Sequence, residues 1–428
     1  MNNLAKGLNE RLEGSIAYSM LSDFGKRIYV PRGIVVQGNE AKARANRFNA
    51  TIGVALEDGQ PMYFDSMKKQ FNENMSSSEI FGYAPMGGVM ALREAWKVEM
   101  LEKNPDLEGV KTSMPVVCSG LTNGLSTVFS ILLDEGDSVV LPDMYWENYD
   151  LLIDEQRKAK KVLYPMFRDG GFNVEGLDKT IDSVKGDKVV VMLNFPNNPS
   201  GYTPTANEAQ AIADVLKKKA DAGRKIAVIT DDAYFGLFYE EEIYNQSIFA
   251  KVANLSENIL AVKCDAATKE NMAWGFRVGF ITYAFKGATE DQLAVLVEKT
   301  LGTIRGSISS CSMAGQSVLL RSLRDTEYKA DKQNGFDRMH VRYVALREAL
   351  VKHKKKTSLK PLPFNSGYFM SLETKCNAED LRQLLLEKYE TGIIRMSDHM
   401  IRLAFCSVPA DAIQELVDTV YKAAEELC

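Results

Sequence analysis

The chain of 428 residues is predicted to be an α/β protein. A large domain would carry a mostly parallel seven-stranded sheet between helices, and a smaller α+β domain would form from the N- and C-terminal parts. Three observations predict this. The middle of the chain alternates short apolar runs with longer helical patterns, the signature of parallel strands joined by crossover helices. The length calls for a large two-part subunit with a sizeable core. From roughly residue 320 the pattern changes to long helical runs around a single clear strand.

In chain order, the strand candidates are 115–119, 137–141, 160–164, 187–193, 225–230, 259–263 and 278–283. Runs such as Val116-Val117-Cys118 and Ile226-Ala227-Val228-Ile229 are apolar without alternation, as strands buried on both faces are. Helical patterns at 122–134 and 205–222 supply crossovers. The second unit takes the helical run 327–355, a strand around Tyr368-Phe369-Met370, and helices near 378–389 and 409–427. The expected division is 1–55, packing on the small domain, then 56–325 as the large domain and 326–428 as the small one. The chain carries no internal repeat, low-complexity tract or Pro-rich linker, so a continuous helix is expected at the join.

Composition narrows the function. A net charge of −5 offers no basic field for nucleic acid, so the partners expected are small molecules. The three histidines, 340, 353 and 399, stand far apart, which argues against a metal site or a histidine-based triad. The six cysteines, 118, 264, 311, 376, 406 and 428, show no CxxC spacing, pointing to reduced thiols in a cytoplasmic protein. The N-terminal stretch is polar and amphipathic with no export-type apolar core, and no later stretch approaches a membrane span.

The chemistry is concentrated in three runs: Asn-Phe-Pro-Asn-Asn-Pro-Ser-Gly (194–201), Thr-Asp-Asp-Ala-Tyr (230–234) and Thr-Lys-Glu-Asn-Met-Ala-Trp-Gly-Phe-Arg (268–277). Together they supply what holding pyridoxal phosphate requires. Lys269 offers an amine for the aldehyde, and burial beside Arg277 would lower its pKa. Arg277, eight residues on, presents a planar fork suited to a phosphate dianion. Asp231 ends a buried strand and would keep the pyridine nitrogen protonated, making the ring an electron sink. Asn198 and Tyr234 can both donate to the phenolate oxygen. A single Asn-Pro-Ser-Gly is usually a turn, and a lone lysine before an arginine usually a solvated pair. Four such elements in one order are not expected by chance.

From about Asn49 to Arg402 the chain resembles the fold type I pyridoxal phosphate enzymes, and among them the class I aminotransferases of the aspartate and aromatic group. The resemblance implies further roles. Trp146, in Tyr-Trp-Glu-Asn-Tyr (145–149), would stack on the cofactor. Gly120-Leu121-Thr122 would cradle the phosphate at a helix N-terminus. Tyr83, in Gly-Tyr-Ala-Pro-Met-Gly-Gly (82–88), would reach the phosphate of the neighbouring subunit in a homodimer with shared active sites. Arg402, in Ile-Arg-Leu-Ala-Phe (401–405), would clamp the substrate α-carboxylate, with Gly53 close to bound substrate. Arg305, in Ile-Arg-Gly-Ser-Ile-Ser-Ser (304–310), would read a distal carboxylate across the subunit boundary, although the prolines that usually follow are missing. Ala266 stands where many relatives carry a phosphate-binding serine; Thr268 or Ser309 is the candidate to replace it.

The implied reaction is ping-pong amino transfer from aspartate, glutamate or an aromatic amino acid to a 2-oxo acid such as 2-oxoglutarate, with Lys269 as Schiff-base residue and general base. A β-eliminating lyase of the same fold shares every cofactor residue named and stays open as the alternative. A non-catalytic regulatory protein with this fold is the remote one, disfavoured because no basic helix-turn-helix module is recognised.

Overall fold

Strands that are apolar on both faces are stable only when helices cover the sheet from both sides. The computed structural model, which describes every residue except Arg32, meets that requirement with a seven-stranded sheet. Its strands are β1 Val116–Ser119, β2 Ser138–Pro142, β3 Lys160–Tyr164, β4 Lys188–Asn194, β5 Lys225–Asp231, β6 Ile259–Ala266 and β7 Val278–Ala284. They lie in the order β1-β7-β6-β5-β4-β2-β3. From β6 to β3 every pairing is parallel, whereas β7 runs antiparallel to both β6 and β1. Helix α1, Gly120–Leu132, follows β1 directly, and α2, Ala206–Asp221, crosses from β4 to β5. A capping box, Thr205 with Glu208, starts α2. This topology brings the carboxyl ends of β4, β5 and β6 to one edge, where ligands of such sheets bind. The register sets Asp231 beside Asn194 and Cys264 there.

After α3, Met313–Leu323, and α4, Tyr328–Lys352, comes a second, antiparallel sheet. It comprises β8 Leu359–Pro361, β9 Phe369–Thr374, β10 Ile394–Ser397 and β11 Met400–Ala404, in the order β8-β9-β11-β10. Helices α5, Ala378–Lys388, and α6, Ile413–Leu427, flank it, and α4 packs along α6. The N-terminal part contributes a two-residue strand, Phe48–Asn49, paired with Thr391–Gly392. Among the described residues no helix is long and apolar enough to cross a membrane.

Three expectations need correction. Strand β6 runs on to Ala266 instead of ending at 263. Lys263 and Asp265 interrupt the apolar pattern, yet both are buried because Lys263 pairs with Asp232 and, at 3.1 Å, with Asp265. The join is not one continuous helix. A turn at 324–327 separates α3 from α4, with Asp325 and Glu327 both taking the Lys69 ammonium. The cysteines are not all reduced: Cys376 and Cys428 form a disulfide across 52 positions. Packing of the last helix brings the chain's final residue to the turn before α5, and no local spacing could signal that.

Candidate active site

The strand ends of the large sheet enclose a cavity of about 240 Å³ lined by Leu121, Thr122, Trp146, Asn194, Asn198, Asp231, Ala233, Tyr234, Thr268, Lys269 and Arg277. Nine of these are residues that the sequence singles out; Asn194 and Ala233 are additions.

Asp231 closes β5 and is 2% exposed. Burial pushes its pKa up to about 6, opposed by a hydrogen bond from the Tyr149 hydroxyl and another from the Ala233 amide at 3.1 Å. Asn194 fixes this corner: its Nδ2 donates to the Asp231 carbonyl at 2.8 Å, and its Oδ1 accepts from the Asn198 amide at 2.9 Å. Sequence reasoning missed Tyr149 and Asn194 as individuals. Tyr149 lies three residues after Trp146, and Asn194 opens the 194–201 run, so both stood inside motifs already recognised.

Lys269 sits in the four-residue helix Ala267–Glu270 that follows β6. Its Nζ makes no hydrogen bond or ion pair among the described residues and lies 4.9 Å from the centre of the Tyr234 ring. Burial lowers its pKa to about 8; the Asp231 charge opposes the shift and Arg277 adds to it. The Tyr368 hydroxyl donates to the Lys269 carbonyl at 3.2 Å, tying the lysine's backbone to the second sheet.

Arg277, just before β7, holds a left-handed conformation with φ 54° and donates to the Trp274 carbonyl at 3.2 Å. Its guanidinium lies against Gly120, where an added Cβ would come within 2.2 Å of Nη2. Helix α1 begins at that glycine and carries no side-chain cap, so its first amides remain available to an anion. Thr268 lines the cavity, whereas the Ser309 hydroxyl is occupied by Arg305 at 2.7 Å and does not.

Arg402, on β11, is 2% exposed. Nη1 donates to Asn198 Oδ1 at 2.9 Å, Nη2 to the Thr51 carbonyl at 3.2 Å, and the guanidinium stacks 4.1 Å from the Phe369 ring centre, leaving Nε unpaired. Burial lowers its pKa to about 10, still far above neutrality. Because arginine only donates, it settles which way Asn198 points: Oδ1 faces Arg402 and the Nδ2 donors are left for a ligand. Gly53 lies beside this group; a Cβ there would sit 3.8 Å from the Tyr234 hydroxyl. Tyr83 and Arg305 are not brought to the cavity of their own chain. Tyr83 is 96% exposed, and Arg305 is exposed on the helix Glu290–Ser307.

An uncapped helix start beside an arginine suits a phosphate, a buried carboxylate suits a pyridinium, and an unpaired amine of lowered pKa suits an aldehyde, so these side chains fit pyridoxal phosphate. Fold and cavity together define a pyridoxal phosphate-dependent enzyme. The chain belongs to the family described as aminotransferase class I and II, whose model matches residues 48–420. It is 24% identical to a probable aspartate/prephenate aminotransferase of Aquifex aeolicus, over 81% of this chain and 84% of that protein. It is 23% identical to an aspartate aminotransferase of Pyrococcus horikoshii, covering 89% of this chain and 93% of the relative. A crystal structure of an aminotransferase from Anaerococcus prevotii superposes with a TM-score of 0.83 at 25% identity, over 95% of this chain and 99% of that one.

Proposed function

We propose that this aminotransferase exchanges amino groups between glutamate/2-oxoglutarate and aspartate or an aromatic amino acid, in a cytoplasmic homodimer with shared sites. One observation carries the reading: a half-buried lysine, without an ionic partner among the described residues, shares its cavity with Asp231, Asn198 and Arg277. The cofactor, when bound, supplies an aldehyde that condenses with amines and a ring that withdraws the electrons left by a broken Cα–H bond.

The chain's own residues do the rest. Gly120, Leu121 and Thr122 at the α1 start, with Arg277 and Thr268, take the phosphate. Asp231, ionised at neutral pH, holds the ring nitrogen protonated. Asn198 Nδ2 and the Tyr234 hydroxyl donate to the phenolate oxygen, and Trp146 covers the ring. Lys269 would hold the aldehyde, and its Nζ, once freed by the incoming amine, would serve as the general base for the substrate Cα proton. With a pKa near 8 rather than 10.5, about one such amine in ten is neutral at pH 7.

Arg402 binds the α-carboxylate, with Gly53 alongside. Tyr83 and Arg305 reach the partner's cavity, Tyr83 to the phosphate and Arg305 to a distal carboxylate. The relatives named as aspartate aminotransferases support the dicarboxylate preference. The chain divides functionally into the segment 1–55, a cofactor-binding part 56–325 and a C-terminal part 326–428 that carries Arg402.

The test is an amino-donor panel with 2-oxoglutarate, followed as glutamate formation, in wild type and Arg305→Leu. Aspartate should be a good donor, and the variant should lose mainly the dicarboxylate rate. Release of ammonia and pyruvate from cysteine-type substrates without glutamate would make the protein a β-eliminating lyase. An equal fall for aspartate, tyrosine and alanine would remove Arg305 from substrate reading.

A further inference from the structure

The segment that carries Gly53 is held by its carbonyl groups. The Asn49 carbonyl accepts from Ser407 Oγ at 2.9 Å, Ala50 from the Ala404 amide at 2.8 Å, and Thr51 from Arg402 Nη2 at 3.2 Å. Ile52 and Val54 both accept from one thiol, Cys406 Sγ, at 3.4 and 3.6 Å. Ala55 accepts from the Met62 amide at 2.9 Å, and Leu56 from Arg342 Nη2. From 49 to 56, Gly53 alone has a carbonyl without a partner among the described residues. The fixed residues on either side of it share the same donor.

Cys406 is itself held in place. It is fully buried, and Arg342 on α4, also buried, donates Nη1 to its carbonyl while Nη2 reaches Leu56 and the Glu57 carboxylate at 2.8 Å. A thiol donates only while protonated, and burial pushes the Cys406 pKa up to about 12, so the donor persists throughout the working pH range. The consequence lies at Gly53, where an added Cβ would press on Phe369 Cζ at 3.1 Å. The same Phe369 ring supports the Arg402 guanidinium. A shift of the Gly53 peptide therefore disturbs the group that faces the substrate carboxylate.

We propose that Cys406 is a positioning residue for substrate binding: its S–H, shared between the carbonyls of Ile52 and Val54, sets the Gly53 peptide against Tyr234 and beside Arg402. Arg342 holds the Cys406 backbone and the end of the same segment together. The inference rests on Arg402 and Gly53 being the substrate site, and the experiment separates the two claims.

Holoenzymes of wild type, Cys406→Ala, Cys406→Ser and Arg402→Ala are compared for KM and kcat with the best donor of the panel. They are also compared for the Kd of its α-methyl analogue, which lacks the Cα hydrogen and cannot react. Loss of one hydrogen-bond donor should raise KM and Kd about fivefold in Cys406→Ala with kcat within about twofold. Cys406→Ser, which keeps an O–H donor, should stay close to wild type. An unchanged Kd in Cys406→Ala, or a Cys406→Ser as weak as Cys406→Ala, overturns the proposal; the second result would show that the bulk of the sulfur matters and its proton does not. If Arg402→Ala binds the analogue as well as wild type, the substrate-site reading itself has failed.

Discussion

Replacing Gly120 by alanine tests the phosphate site more sharply than removing Arg277 would, because it displaces the guanidinium without deleting it. At φ +75°, alanine costs about 1–2 kcal/mol of backbone strain. Its Cβ would stand 2.2 Å from Arg277 Nη2 and 2.7 Å from Cζ, so something must move. Those atoms are the far end of a flexible, exposed side chain, and the clash is relieved by swinging Arg277 out rather than by unfolding the strand end. Folding therefore loses little beyond the strain, which for a chain of this size lowers the apoprotein Tm by about 1–2 °C. Cofactor binding loses a charged hydrogen-bonding partner worth about 1.5–3 kcal/mol, a roughly 10- to 150-fold rise in the Kd for pyridoxal phosphate. The assay is a fluorescence titration of stripped enzyme with cofactor beside thermal melts of the apoprotein. Gly275→Ala is the control, since an added methyl there meets nothing within 4 Å. A Gly120→Ala enzyme that binds cofactor within twofold of wild type would refute the placement of the phosphate. So would one whose apoprotein no longer folds while Gly275→Ala does.

Two further outcomes follow. Cofactor capture by stripped enzyme needs the neutral Lys269 amine, so below pH 8 its rate should climb about tenfold per pH unit and level off above, whereas an amine near 10.5 would still be gaining at pH 10; stopped-flow absorbance reads this, and borohydride fixation should label the peptide carrying Lys269, not Lys263. Mixing inactive Lys269→Ala subunits with inactive Tyr83→Phe/Arg305→Ala subunits should restore part of the activity through heterodimers, and a fully active monomer by sedimentation would rule out shared sites.

The sequence by itself determined the class of fold and most of the side chains that line the strand-end cavity, for a physical reason. Strands buried on both faces must be apolar runs, and groups that meet a cofactor at strand ends sit immediately after those runs. Asp231 after Ile226-Ala227-Val228-Ile229 and Gly120 after Val116-Val117-Cys118 are therefore visible as local pattern. Lys269 and Arg277 are legible because one short stretch of chain carries both, eight residues apart. Groups whose role depends on a distant partner left no such trace. Lys263 looks like the end of a strand until Asp232 and Asp265 neutralise it inside the core. Cys428 looks like a free thiol until the last helix carries it to Cys376. Only the tertiary structure supplies the Tyr149 contact to Asp231, the Arg402 contact that orients Asn198, and the Cys406 contact across Gly53, at sequence separations of 82, 204 and more than 350 residues. Local preferences fall off within a few residues along the chain, and contacts at those separations exist only once distant segments have packed together.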